Sequence, residues 1–117
     1  GITQKHTGKK PFNASRELLE LIDNKDYGDY FYEPINSVPV NFLSTLDITN
    51  GNSGSATINS KFELVGLAFD GMIETIIADY KYIPQARTIS VDSRYLLWTL
   101  EKLEKADNIL DELTIVK

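Results

Sequence analysis

The apolar positions along the chain change period twice. Between residues 14 and 24, Leu18, Leu21 and Ile22 recur at i, i+3 and i+4, the spacing of one helical face, and Asn13 is placed to cap its start. From Val38 to Leu46 an apolar, β-prone run predicts a buried strand, with Pro39 near its beginning, where a missing amide is tolerated. Ala56-Thr57-Ile58 and Glu63 to Phe69 flank Asn59-Ser60-Lys61 and predict a hairpin, and Arg87 to Val91 predicts another strand. Ile73 to Tyr82 fits strand or helix equally. Helical spacing then returns: Leu96, Leu100 and Leu103 line one face, Leu97 lies beside them, and Asp92 or Ser93 can cap the start. Ala106 to Leu113 predicts a further short helical piece. Residues 1–13 are polar, with Gly8 and Pro11, and read as loop; residues 25–37 read as an aromatic-rich loop. Several strands and a terminal helix predict a fold that is mainly β with helices.

Composition narrows the class. At 117 residues the chain is one small domain or a piece of a larger one, and 42% hydrophobic residues suffice for a core. A formal net charge of -5 argues against a general nucleic-acid or anionic-membrane binder. There is no cysteine, so neither a disulfide nor a thiolate metal site forms within it. No apolar stretch is long enough to span a bilayer. The start, Gly1-Ile2-Thr3-Gln4-Lys5, is polar and lacks methionine; we expect a chain cut from a longer protein, with any targeting segment upstream. Asp107, Asp111 and Glu112 lack the spacing of a calcium loop, so no metal is assigned, and no cofactor.

The chemistry concentrates in Gly51-Asn52-Ser53-Gly54-Ser55. Small residues around a serine let the backbone turn sharply and approach a substrate closely. A serine hydroxyl held so can attack a carbonyl while neighbouring amides bind the oxyanion. A loop of this composition is nevertheless more often a solvated turn than a nucleophile. His6 is the one histidine, in a polar leader beside Lys5, Lys9 and Lys10, and reads as a solvated surface residue rather than a base. A triad within this chain is therefore not expected. Asp70-Gly71 reads first as a turn closing the run that ends at Phe69, and second as an acidic group and a glycine facing a cleft. Tyr95 and Trp98 read as core of the last helix, and Tyr27, Tyr30, Phe31 and Tyr32 as packing.

Four blocks taken together carry a resemblance. Val38-Pro39-Val40-Asn41-Phe42-Leu43-Ser44, Asp47-Ile48-Thr49-Asn50-Gly51-Asn52-Ser53-Gly54-Ser55, Leu64-Val65-Gly66-Leu67-Ala68-Phe69-Asp70-Gly71 and Ile89-Ser90-Val91-Asp92-Ser93-Arg94-Tyr95-Leu96-Leu97-Trp98 resemble, in order and spacing, the C-terminal part of bacterial dipeptidyl-peptidases of serine peptidase family S46. The similarity runs from about Gly8 to Leu113. It implies that residues 1–117 are a single fragment: the C-terminal half of a chymotrypsin-like double β-barrel plus its closing helix. It implies removal of dipeptides from peptides with a free N-terminus, a periplasmic, cell-surface or secreted location, and an N-terminal barrel of the same protein as partner. On this likeness Ser53 matches the nucleophile, and the amides of Gly51 and Ser53 the oxyanion donors. Asp70 matches the residue that binds the substrate's α-amine. Gly71 matches the position that tunes the pocket for the second substrate residue, where arginine goes with acidic side chains and glycine with hydrophobic ones. The family's catalytic histidine and aspartate lie far upstream and have no match here. Ala56 stands where the family usually has proline, and Met72-Ile73 replaces an Asn-aromatic pair.

Two functions follow. The first is the serine-bearing fragment of a dipeptidyl-peptidase, inactive alone because a serine without its base is a weak nucleophile. The second is a non-catalytic binding or assembly module, whose exposed half-barrel face would lead to a homodimer.

Overall fold

Small and polar residues decide which face of the sheet is buried. The computed structural model describes residues 1–77 and 80–116. Strands β1 (Asn41–Ser44), β2 (Ala56–Ile58), β3 (Leu64–Gly71) and β4 (Thr88–Asp92) form one antiparallel sheet in the order β1-β4-β3-β2. Gly66, Ala68 and Gly71 of β3 stand opposite Asp92, Ser90 and Thr88 of β4, so these six share a face. Thr88, Ser90 and Asp92 are all buried there. Their polar atoms are satisfied: the Thr88 hydroxyl donates to the Leu46 carbonyl at 2.6 Å, and the Ser90 and Thr57 hydroxyls meet at 3.1 Å. Gly66 is required by space. A Cβ there would lie 2.5 Å from the Val91 carbonyl and 2.7 Å from Phe42 Cε1.

The apolar core is separate and lies among the helical elements. Helices α1 (Ile2–Lys5), α2 (Arg16–Asp23), α3 (Ser93–Trp98) and α4 (Asp107–Leu110) are joined by 3₁₀ turns at Gly28–Tyr30 and Glu33–Ile35, and α3 widens into a π-helical turn over Thr99–Leu103. Trp98, Tyr30 and Val38 are buried together, with Leu18, Leu21, Ile22, Tyr27, Tyr95 and Leu97 packed around them. Burial of two aromatics requires partners for their polar ends. The Trp98 indole donates to the Asp26 carbonyl at 2.7 Å, and the Tyr30 hydroxyl donates to Glu101 Oε2 at 2.6 Å. Burial, reinforced by that bond to Glu101, pushes the Tyr30 pKa up to about 12.

Asp92 couples core and sheet. It ends β4 and caps α3, accepting from the Arg94 amide at 2.9 Å. Its two oxygens also receive the Arg94 guanidinium at 2.9 and 2.8 Å. That guanidinium lies 4.3 Å from the centre of the Tyr32 ring.

The mainly β fold with helices holds, and so does the hairpin: β2 and β3 pair as expected. Other expectations need correcting. The run from Val38 to Leu46 is not a buried strand. Only Asn41–Ser44 pair, with alternating exposed and half-buried positions, because β1 lies at the sheet edge; Val38 packs into the helical core instead. The cap of α2 is Ser15, accepting from the Leu18 amide at 3.2 Å, and not Asn13. The leader forms the short α1. Of the ambiguous stretch from Ile73 to Tyr82, Ile73–Ile77 is a 3₁₀ turn, and Ala78 and Asp79 lie outside the described residues.

Candidate active site

The loop between β1 and β2 is braced from within. The Asn52 amide donates to the Thr49 carbonyl at 3.2 Å, and the Asn52 side-chain oxygen accepts from the Thr49 amide at 2.8 Å. The Ser55 amide then closes on the Asn52 carbonyl at 2.9 Å. Gly51 and Gly54 have φ of 94° and 88°, left-handed values that favour glycine. Two bonds lash the loop to β3: Gly54 amide to Ala68 carbonyl at 2.7 Å, and Ala68 amide to Ser55 carbonyl at 2.9 Å. Asn52, Gly54 and Ser55 thus spend their amides inside the fold. Among the described residues, the amides of Gly51 and Ser53 donate to no carbonyl. The alternation leaves two donors, two residues apart, for something else.

The facing wall of the site is a bulge in β3. Ala68 pairs with Ser90 and Asp70 with Ile89, so Phe69 is the extra residue. Strict alternation would put Asp70 on the buried face with Gly66 and Ala68. The bulge turns Asp70 off that face into solvent and returns Gly71 to it, opposite Thr88. The Phe69 carbonyl accepts from the Ser53 hydroxyl at 3.4 Å, a long bond that is readily exchanged. Asp70 Oδ1 accepts from the Gly71 amide at 2.8 Å. Asp70-Gly71 therefore lies within a strand, and the turn reading of this pair is corrected: ladder pairing continues through Gly71.

Loop and bulge enclose one open cavity of about 410 Å³. Gly51, Ser53, Asp70 and Gly71 all line it, so the structure assembles in one place residues up to twenty positions apart. Met72 and Ile73, which depart from the family pattern, line it too, as do Thr75 and Ile76. Ala56 begins β2 opposite Leu67, an extended position where alanine stands without strain. His6 is half-buried, and its Nδ1 accepts from the Ala14 amide at 3.0 Å; it staples the leader to the start of α2. Among the described residues, no group of three or more His, Cys, Asp or Glu is placed to hold a metal ion.

Two contributors escaped the sequence reading. Asn52 is the brace of the serine loop, and its only sequence signal is the general preference of asparagine for turns. Thr75 stands against Gly71, where a Cβ would meet Thr75 Oγ1 at 2.3 Å. No local pattern announces that contact.

Known proteins share both sequence and fold with the chain. The Peptidase S46 family profile matches residues 1–115. The chain is 42% identical to an Asp/Glu-specific dipeptidyl-peptidase of Shewanella putrefaciens, with all of the chain and 19% of that relative aligned. It is 41% identical to dipeptidyl-peptidase 7 of Capnocytophaga gingivalis, over 94% of the chain and 15% of the relative. It superposes on the crystal structure of Porphyromonas endodontalis DPP11 with a TM-score of 0.91 and 35% identity, covering 96% of this chain and 17% of that one. The chain thus spans less than a fifth of the length of these relatives. An ordered match from end to end, and a sheet that superposes at this level, make the chain a member of the peptidase S46 family.

Proposed function

We propose that this chain is the serine-bearing part of a serine exopeptidase that releases dipeptides from the free N-terminus of peptides. The observation that carries the reading is that Gly51, Ser53, Asp70 and Gly71 line one shared cavity. In this reading Ser53 Oγ leaves its long bond to Phe69 and attacks the scissile carbonyl. The amides of Gly51 and Ser53 receive the oxyanion. The Asp70 carboxylate, exposed by the bulge, pairs with the substrate's α-ammonium and limits the reach of the site to two residues. The relatives support the class: they are named dipeptidyl-peptidases, and DPP11 has been solved with the dipeptide Arg-Glu.

Specificity is the finer proposal. The relatives' names include both Asp/Glu-specific enzymes and dipeptidyl-peptidase 7, so names do not choose between acidic and hydrophobic preference. Glycine at 71, with Met72, Ile73 and Ile76 around the same cavity, supplies no cation, which favours a hydrophobic second residue. The base comes from elsewhere. His6 is the one histidine and its Nδ1 is committed to Ala14, so we assign the catalytic histidine and aspartate to an N-terminal barrel of the full-length protein, completing a chymotrypsin-like site. We extend the proposal to a periplasmic, cell-surface or secreted location for that protein.

The test is Ser53→Ala in the full-length protein, assayed on dipeptide reporters with a hydrophobic second residue. Turnover should fall by at least ~10³-fold, with an unchanged unfolding midpoint, because Ser53 is exposed. Residual cleavage near the parent level removes Ser53 from the mechanism. The isolated 117-residue chain should show no Ser53-dependent cleavage in the same assay.

A further inference from the structure

Gly71 is not glycine for conformational reasons. Its φ lies outside the left-handed region, unlike those of Gly51 and Gly54. The constraint is a neighbour. A Cβ on residue 71 would lie 2.3 Å from Thr75 Oγ1 and 3.1 Å from both Thr75 Cβ and Cγ2. The first distance is well inside contact; one rotation of Thr75 about χ1 brings its methyl into the place of the hydroxyl, and the other gives up the hydroxyl's bond to the Met72 carbonyl.

Thr75 is also pinned. Its hydroxyl donates to the Met72 carbonyl at 2.6 Å, and its amide donates to the same carbonyl at 2.8 Å. Both bonds tie Thr75, within the 3₁₀ turn Ile73–Ile77, back to Met72, the residue that links the turn to β3. On the other side the strand cannot withdraw, because Gly71 is paired with Thr88, itself fully buried. Thr75 lines the same cavity as Ser53, Asp70 and Gly71.

We propose that Thr75 is a specificity-determining residue of this site: it occupies the space where a side chain at position 71 would begin, so residues 71 and 75 set the wall of the second-residue pocket as an interlocked pair. The idea rests on the reading of the cavity as a dipeptidyl-peptidase site. It carries a consequence of its own. A cation introduced at 71 cannot reach the cavity while Thr75 stands, and becomes useful only once Thr75 is removed.

The test is a set of variants of the full-length protein: Gly71→Arg, Thr75→Gly, Thr75→Val and the two doubles with Gly71→Arg. Each is assayed for kcat/KM on dipeptide reporters carrying Leu or Asp in the second position. Gly71→Arg alone should lose about tenfold or more on Leu without gaining on Asp. Adding Thr75→Gly should raise the Asp rate about tenfold over the single variant, because a freed guanidinium pairs with the carboxylate. Adding Thr75→Val, which keeps the shape and drops the hydroxyl, should not. A gain on Asp from Gly71→Arg alone, or from the valine double, overturns the proposal.

A folding cycle separates this idea from the activity on which it rests. Gly71→Ala should lower the unfolding midpoint by ~2 °C or more with Thr75 present, and by much less with Thr75→Gly. Additive midpoints overturn the interlock whatever the reporters show. Coupled midpoints in a protein that cleaves no dipeptide reporter would uphold the contact and reject the proposed activity instead.

Discussion

Tyr30 shows what one buried phenol does to stability. Its hydroxyl donates to Glu101 Oε2, and burial first, then that bond, raises its pKa from 10.0 to about 12. The folded chain therefore holds this proton at a pH where the unfolded chain has released it. The contribution is fully present below pH 10 and is lost as pH rises through about 12. Unfolding free energy measured across that window should fall with pH, and Tyr30→Phe should flatten the fall while costing about 1 kcal/mol at neutral pH. An identical slope in the phenylalanine variant would contradict the assignment. At the same scale, Ser53 is a residue whose side chain does little for folding, since its hydrogen bond to Phe69, the only one its side chain makes among the described residues, is long and at the surface. Under the proposed function, stability and chemistry fall on different residues.

Among elements, β3 does the most to form the site, and it does so through departures from regularity. Gly66 and Ala68 keep one face thin enough for Phe42 and the β4 polar residues to close on it. The bulge at Phe69 then exposes Asp70 and presents a carbonyl to Ser53. Gly66→Ala should destabilise the protein by roughly 1–3 kcal/mol, because the Val91 carbonyl in the path of the new Cβ is held in the adjacent strand. Denaturant melts of the alanine variant check this, and an unchanged midpoint would show that β3 and β4 separate more easily than their ladder suggests. Gly51→Ala tests a different property, since nothing lies within 4 Å of its Cβ position and only its φ of 94° resists substitution.

On the scale of the molecule, the described chain has two centres that face different tasks. The helical cluster around Trp98 is apolar and closed, with Trp98 only 2% exposed. The sheet side carries the cavity, and two apolar residues that line it, Ile73 and Ile76, are 77% and 73% exposed; Tyr80 and Tyr82, further along the chain, are also exposed. Large apolar side chains left this exposed favour association with a partner surface. The isolated chain should therefore self-associate at micromolar concentration, and Ile73→Lys with Ile76→Lys should reduce the association. Light scattering that finds a clean monomer of the unsubstituted chain would contradict this.

How much was legible in advance follows the range of each interaction. Periodicity located α2, the hairpin and the last helix, because those patterns are local and their cause is local. The ordered blocks around Ser53 were enough to identify the family, since their residue types and spacing are written in the chain itself. The burial of β1 was misjudged because an edge strand and a central strand share the same residues and differ in what lies beside them. The place of Asp70-Gly71 was undecided for the same reason: aspartate and glycine suit a turn, and only pairing with Ile89 and Thr88 keeps them in the strand. Sequence by itself determined α2, the helix that begins at Ser93, the hairpin and the family, together with the residues to suspect. Tertiary structure alone decided that Gly51, Ser53, Asp70 and Gly71 share a cavity, that a bulge turns Asp70 outward, and that Thr75 stands in the space beside Gly71. Those facts depend on contacts between distant segments and on the volume left between them, and neither is encoded in any local pattern of residues.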